Sequence, residues 1–295
     1  MIAMSPYDED DLPELRQVDW AALEHASSEE PFNQEAFNLL KDSIATLTTV
    51  AGLRTSEQAK GLQRNQAIIV GHYSRMIKLM MSLVRQVADN HGGDHAMSIT
   101  REFLESISVV TYLLGDAGDG SRYDAYVFDS LIAEREFLKD VRSQIAARGG
   151  TQLPIEQRIE RSISDVLRAA GLQEDDIPSR RNTGWPNTEA RLAPLGPAAY
   201  SAYRMGSNAI HGSFADVYKR HLYESEGGFE IDLRADSFKP QPLLVMSLCG
   251  LTTVEPYADV WLDDLLPDGL RQRCRNLINT LADVDDLHEQ YLQQV

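Results

Sequence analysis

Apolar residues recur every three or four positions over most of the chain, and this spacing predicts a series of long helices. The first such segment runs from Phe37 to Leu53. Segments with the same spacing predict helices over 62–90, 94–114, 121–148, 155–170, 241–251 (extending towards 261) and 268–292. Gly or Pro lies at several of the predicted ends, where these residues start or stop a helix.

These segments predict an all-α protein, a multi-helix bundle with long loops and at most a minor strand near 229–233. The Pro- and Gly-rich stretch 173–197 predicts an ordered loop, and a sixth helix follows it to about Ser225. Only Phe229–Leu233 alternates apolar and charged residues as a strand does. We divide the chain into an N-terminal arm (1–36), a helical core (37–225) and a C-terminal helical extension (226–295) packed on that core.

The overall charge argues against some classes of binding protein. The 295 residues include 45 Asp and Glu against 28 Lys and Arg, a net charge of −17. This charge argues against a sequence-independent grip on nucleic acid or anionic membrane over the whole surface, although a local basic patch could still exist. The isolated Cys249 and Cys274 exclude a disulfide framework and a cysteine-based zinc site. Without a signal-peptide pattern or a long apolar run, we expect a cytoplasmic protein with no membrane segment.

Much of the negative charge lies in the N-terminal arm. Residues 1–36 carry ten acidic side chains against the single Arg16, a net charge of −9. A run of this kind is typical of a solvated arm. Its hydrophobic residues could form one short docking helix, and its charge could bind a protein partner.

The predicted sixth helix carries the strongest candidate chemistry. Arg204 and His211 are seven positions apart, which places them on one helical face. Ser207 lies between them on that face, and Asn208 borders it. Together they supply a fixed cation, a hydroxyl and an imidazole, the kinds of groups that phosphodiester cleavage uses. In the alternative interpretation, Arg204 and His211 belong to a buried hydrogen-bond network.

The spacing of Arg204 and His211, with six residues between them, resembles that of the arginine–histidine motif of HEPN-like helical domains. Tyr200 and Tyr203 precede the motif, and Trp185 stands in the Gly/Pro loop before it. The combination, over about residues 65–221, is similar to an uncharacterised bacterial branch of domain-of-unknown-function proteins. The resemblance implies a helical bundle, often dimeric, that in some members cleaves RNA without a metal ion and in others only binds.

Two further groups of residues could support such a site. On the third predicted helix, Arg101 and Glu105 are four positions apart, as in an exposed ion pair, or they point inward and orient Arg204 or His211. Residues 178–221 carry six Lys or Arg against two acidic residues, a net charge of +4. Within this stretch we predict that substrate binding involves Trp185 as a stacking platform for single-stranded bases, with Arg180, Arg181 and Lys219.

The sequence therefore predicts a metal-independent endoribonuclease-like protein, without a cofactor, in a stress, toxin or phage-defence setting. His211 would be the general acid or base, Arg204 would stabilise the phosphate, and Ser207 or Asn208 would position it. RNA or a nucleotide is the expected partner, and a second copy in a homodimer would complete the site. The alternative is a non-catalytic binding module in which Arg204, Ser207 and His211 form a structural or anion-binding network. Met205 and the charge of −17 favour this alternative.

Overall fold

The computed structural model describes residues 14–55, 57–89, 93–115, 120–234, 238–262 and 265–294. Within these ranges the chain is all-α apart from one small hairpin, which confirms the predicted fold class. The α-helices are α1 (Trp20–Glu24), α2 (Glu30–Gly52), α3 (Arg64–Ala88), α4 (Gly93–Leu114), α5 (Gly120–Ala147), α6 (Pro154–Ala170), α7 (Thr188–Leu192), α8 (Pro197–His211), α9 (Phe214–His221), α10 (Gln241–Thr252), α11 (Val254–Trp261) and α12 (Asp268–Leu292). The strands are β1 (Leu222–Ser225) and β2 (Gly228–Ile231).

The helices form two compact units. The first consists of the described residues of 1–115 and 188–295, and the second of those of 116–187. In the first unit, α2, α3, α4, α10 and α12 pack around a shared core that includes Leu47, Tyr73, Met76, Phe103 and Leu244. In the second unit, α5 packs against α6. The boundaries near residues 36 and 225 that we drew from the sequence stay a prediction.

The predicted sixth helix is shorter than the sequence indicated. It was expected to reach about Ser225, but α8 ends at His211, and Gly212 adopts the left-handed conformation with φ +56°. The Ser213 hydroxyl then accepts a hydrogen bond from the amide of Asp216, 3.3 Å away, and so caps the new helix α9. The chain therefore changes direction between His211 and Phe214.

A two-stranded antiparallel hairpin follows α9. Its register runs from the Leu222–Ile231 pair to the Ser225–Gly228 pair, so that two residues form the turn. β2 covers the first part of the predicted strand 229–233, whereas β1 occupies residues that were assigned to the sixth helix. Several apolar residues of α9 and the hairpin remain exposed, among them Phe214 (74%), Phe229 (57%) and Ile231 (71%).

The described part of the N-terminal arm contains one short helix, α1. Leu23 of α1 is buried, and α1 lies against α2 and α12. Helix α2 begins at Glu30, and Phe32 is fully buried with its ring centroid 4.9 Å from that of His288. The last residues of the predicted arm therefore belong to the packed bundle. Residues 1–13 lie outside the described ranges.

Helix α3 is the one helix within the described ranges that is long and apolar enough to cross a membrane by length and composition. Its apolar side chains Ile69, Tyr73, Met80 and Leu83 are fully buried. Helix α3 packs against α2 and α4, and the Tyr73 ring also meets the Tyr257 ring of α11, with centroids 5.2 Å apart. An apolar face of this kind is also what the core helix of a bundle presents to its neighbours.

Candidate functional site

Helix α8, which carries Arg204 and His211, crosses α4 at very short distance. It begins with Pro197 in its first turn, packs against α4, and includes the buried Gly206. A Cβ atom on Gly206 would lie 2.5 Å from the Cβ of Arg101 and 2.6 Å from the carbonyl oxygen of Met97. These separations are too short for any carbon contact, so the two backbones can approach this closely only with glycine at position 206.

Arg101 of α4 fixes the face of α8 that it meets. Its Nε donates a hydrogen bond to the Ser207 hydroxyl, and its Nη2 donates one to the Tyr203 hydroxyl, both at 3.0 Å. The guanidinium also lies 4.8 Å from the centroid of the Tyr203 ring, within the range of a cation–π contact. Ser207 in turn donates to the Tyr203 carbonyl at 3.0 Å. Arg101 therefore orients Ser207 and Tyr203, and none of its contacts reaches Arg204 or His211.

Arg204 and His211 extend from a different part of the α8 surface. Both are exposed, and neither forms a hydrogen bond or an ion pair with any residue in the described ranges. The side chain of Asn208 is also exposed, one turn after Arg204. A cation, an amide and an imidazole therefore face solvent together on consecutive turns. In the structure these side chains are not part of a buried network.

Tyr200 extends the site towards the start of α8. It is partly buried, and its ring stacks on that of Tyr203 with centroids 6.2 Å apart and an interplanar angle of 13°. Because the Tyr203 hydroxyl is held by Arg101, the pair forms a fixed aromatic surface on the first turns of the helix.

Glu105 has a different partner from the one its spacing suggested. Its carboxylate accepts a hydrogen bond from Nη2 of Arg191 on α7 at 2.6 Å, and the Arg191 side chain is only 5% exposed. Nε of Arg191 also donates to the Ser108 hydroxyl at 3.2 Å. Arg101 and Glu105 thus hold two different helices against α4. Arg191 is one of the six basic residues in the net charge of +4 over 178–221. Because it is buried, its charge does not contribute to an exposed basic patch.

The four predicted substrate-binding residues belong to different units. Arg180, Arg181 and Trp185 lie in the second unit, where Arg180 is exposed at 3.8 Å from Glu136 and the Trp185 ring meets the Tyr126 ring edge-on at 5.3 Å. Lys219 lies in the first unit and is exposed on α9. Among the described residues, no group of three or more His, Cys, Asp or Glu side chains is arranged to hold a metal ion.

Sequence reasoning missed the residues that hold the helices together. Gly206 had a detectable signal, because Ala199, Ala202 and Gly206 place small residues on one face of α8, as a close helix crossing requires. Arg191 had no comparable signal, since its partner Glu105 is distant in the sequence and pairs across helices.

The part of the chain that contains this helix crossing also has a family match. The DUF5677 family, a family of unknown function, matches residues 66–229, which is more than half of the chain. The chain belongs to the DUF5677 family. The matched segment of this DUF5677 protein runs from α3 to β2 and includes the α4–α8 crossing with Arg204 and His211. No curated protein and no solved structure matches the chain.

Proposed function

We propose that this DUF5677 protein is HEPN-like and cleaves RNA without a metal ion, using His211 and Arg204. One observation carries the proposal: both side chains are exposed and unpartnered within the described ranges, while the neighbouring face of α8 is fixed against α4. A cation and an imidazole that stabilise the fold are normally paired or buried. Both side chains are therefore accessible to a ligand from outside the chain.

The proposed reaction uses the groups that RNA itself supplies. His211, in its neutral form, accepts the proton of a ribose 2′-hydroxyl as that oxygen forms a bond to phosphorus. The bond from phosphorus to the 5′-oxygen breaks, which leaves a 2′,3′-cyclic phosphate. The leaving oxygen takes a proton from a water molecule, and protonated His211 returns to that water the proton that it accepted. Arg204 opposes the negative charge that develops on the phosphoryl oxygens. Asn208 can donate a hydrogen bond to the phosphate, whereas the Ser207 hydroxyl is already held by Arg101 and Tyr203.

We also propose that the active form is a homodimer in which a second copy completes the site. The exposed apolar residues of α9 and the hairpin, which follow His211 directly in the chain, support this proposal. Three of them, Phe214, Tyr218 and Phe229, already contact each other, with consecutive ring centroids 6.1 Å apart. Light scattering should give twice the mass of the chain for the wild type, and the mass of a single chain for Phe229→Ser combined with Ile231→Ser.

The experiment compares cleavage with stability. Labelled single-stranded RNA of mixed sequence is incubated with the wild type, His211→Ala and Arg204→Ala in EDTA, and DNA of the same sequence serves as a substrate without 2′-hydroxyls. We expect each variant to cleave RNA about 10²-fold or more slowly than the wild type does. Because both side chains are exposed, the free energy of unfolding of each variant should differ from that of the wild type by no more than about 0.5 kcal/mol.

The matched controls are His25→Ala and Arg158→Ala, which remove an exposed imidazole and an exposed guanidinium elsewhere on the surface. Both should cleave RNA at the wild-type rate. Cleavage that persists in His211→Ala, or cleavage of DNA at the same rate as RNA, would contradict the proposal.

A non-catalytic RNA- or anion-binding module is the second candidate. Two observations favour it: the Ser207 hydroxyl is engaged within the fold, and the residue after Arg204 is the apolar Met205. A wild type that binds the labelled RNA without cutting it, and loses that binding in Arg204→Ala, would decide for this candidate.

A further inference from the structure

A cavity of about 580 Å³ opens beside α8, and Asn208 of the candidate site lies in its lining. It is formed by the first turns of α4 and α10 together with α8 and α9. Its volume falls within the range of sites that bind small organic molecules. Binding in this cavity does not depend on the ribonuclease activity proposed above, because neither Arg204 nor His211 lines it.

The walls of the cavity are largely apolar. Met97 on α4, Met205 and Ala209 on α8, and Pro242 on α10 line it. Met205 remains 57% exposed although it lies among these apolar neighbours. Flexible methionine side chains adapt to apolar ligands of different shapes. This lining explains an apolar residue directly after Arg204, because Met205 faces the cavity.

Basic side chains outnumber acidic ones around the cavity. Among the described residues, Lys219, Arg220 and Lys239 line it together with one carboxylate, that of Asp216. Asp216 is held by Arg220 at 3.3 Å, and Lys239 pairs with Glu29. Lys219 forms no hydrogen bond or ion pair in the described part of the chain. With the Glu29 carboxylate included, the described residues around the cavity carry an excess of one positive charge, that of Lys219, in a chain with a net charge of −17.

We propose that this cavity binds an amphipathic organic anion, a molecule with an apolar body and one acidic head group. The body would lie against Met97, Met205 and Ala209, and the carboxylate, sulfonate or phosphate would be neutralised by Lys219. The site combines an apolar wall with the charge of Lys219, and a ligand should match both. A purely apolar ligand would form no ion pair with Lys219, and a small inorganic anion would leave the apolar wall exposed to water.

A pair of fluorescent probes tests both parts of the proposal on the full chain. 8-Anilinonaphthalene-1-sulfonate has an apolar body and one negative charge, and N-phenyl-1-naphthylamine has the same body without the charge. Lys219→Glu should weaken binding of the sulfonate about tenfold, because reversing an exposed charge removes one attraction and adds a similar repulsion. The same variant should change binding of the neutral probe by less than about twofold. Met205→Glu should weaken both probes.

Lys139→Glu is the matched control. Lys139 is exposed on α5 in the second unit, and its substitution changes the net charge by the same amount as Lys219→Glu does. It should bind both probes as the wild type does. Melting curves of the variants confirm that each is folded, and the positions are exposed enough to tolerate the change. Absence of saturable sulfonate binding by the wild type, or equal weakening by Lys139→Glu and Lys219→Glu, would overturn the proposal. Decanoate and inorganic phosphate, added as competitors, distinguish its two parts: displacement by phosphate alone would also overturn it.

Discussion

Replacing Gly206 with alanine tests whether α8 crosses α4 as closely as the structure has it. The added Cβ would lie 2.5 Å from the Cβ of Arg101 and 2.6 Å from the carbonyl oxygen of Met97. Atoms of this kind need about 3.5 Å or more, so the helices would have to separate by about 1 Å. Both obstructing atoms belong to the backbone or lie next to it. Rotation of a side chain therefore cannot relieve the overlap.

The size of the effect follows from three contributions. Overpacking of this kind costs about 1–3 kcal/mol. Separation of the helices also weakens the bonds from Arg101 to Ser207 and Tyr203, and a hydrogen bond to a charged group contributes about 1.5–3 kcal/mol. Alanine has a better helix propensity than glycine, which offsets about 1 kcal/mol. We expect a net loss of about 2 kcal/mol in the free energy of unfolding, or about 3–4 °C in melting temperature for a chain of this size.

Thermal melting and urea unfolding of Gly206→Ala should be measured beside Gly71→Ala. Gly71 is also within a helix, α3, but it is exposed and nothing lies within 4 Å of its added Cβ. The free energy of unfolding of the Gly71 variant should therefore rise by about 0.5–1 kcal/mol, because alanine has a higher helix propensity than glycine. If Gly206→Ala were as stable as the wild type, or gained stability as Gly71→Ala does, the close crossing would be refuted.

Two further predictions concern the same unit. Glu105→Gln removes the charge opposite the buried Arg191 and should lower the free energy of unfolding in urea by about 2 kcal/mol, less than for a fully buried pair because Glu105 is 34% exposed. A change near zero would contradict this reasoning. Burial, with the charges of Arg75 and Arg191, lowers the pKa of His72 to about 4. The unfolded chain takes up a proton there near pH 6.5, so the free energy of unfolding should fall by about 3 kcal/mol as pH drops from 6.5 to 4. His72→Gln should lack this part of the acid sensitivity, and an identical pH profile would contradict it.

The long helices were predictable because local signals agreed with the fold. Helices α4, α5 and α12 begin and end within about one residue of the predicted bounds, since sustained apolar spacing was terminated by Gly, Pro or acidic loops. The end of α8 was missed although the sequence carried its signal. Gly212 supplies the left-handed residue, and Ser213 with Asp216 supplies the next cap. Continuous apolar and aromatic residues across this junction favoured one longer helix.

The candidate site was predictable only in part. The spacing of Arg204 and His211 gave their common face, because a helix fixes that relation by itself. The partners of Arg101 and Glu105 could not be read in the same way. Both residues reach across to other helices, and a spacing of four positions within α4 says nothing about those long-range contacts.

The two faces of α8 make it possible to separate the role of the helix in folding from any role in chemistry. Gly206 and Ser207 contact α4, so a change at either moves the whole helix and should alter stability and activity together. The side chains of Arg204 and His211 form no hydrogen bond or ion pair within the described ranges. A loss of RNA cleavage without a loss of stability can then arise only from the groups themselves. If His211→Ala instead lowered stability as much as Gly206→Ala, the imidazole would have a structural partner and the catalytic assignment would fail.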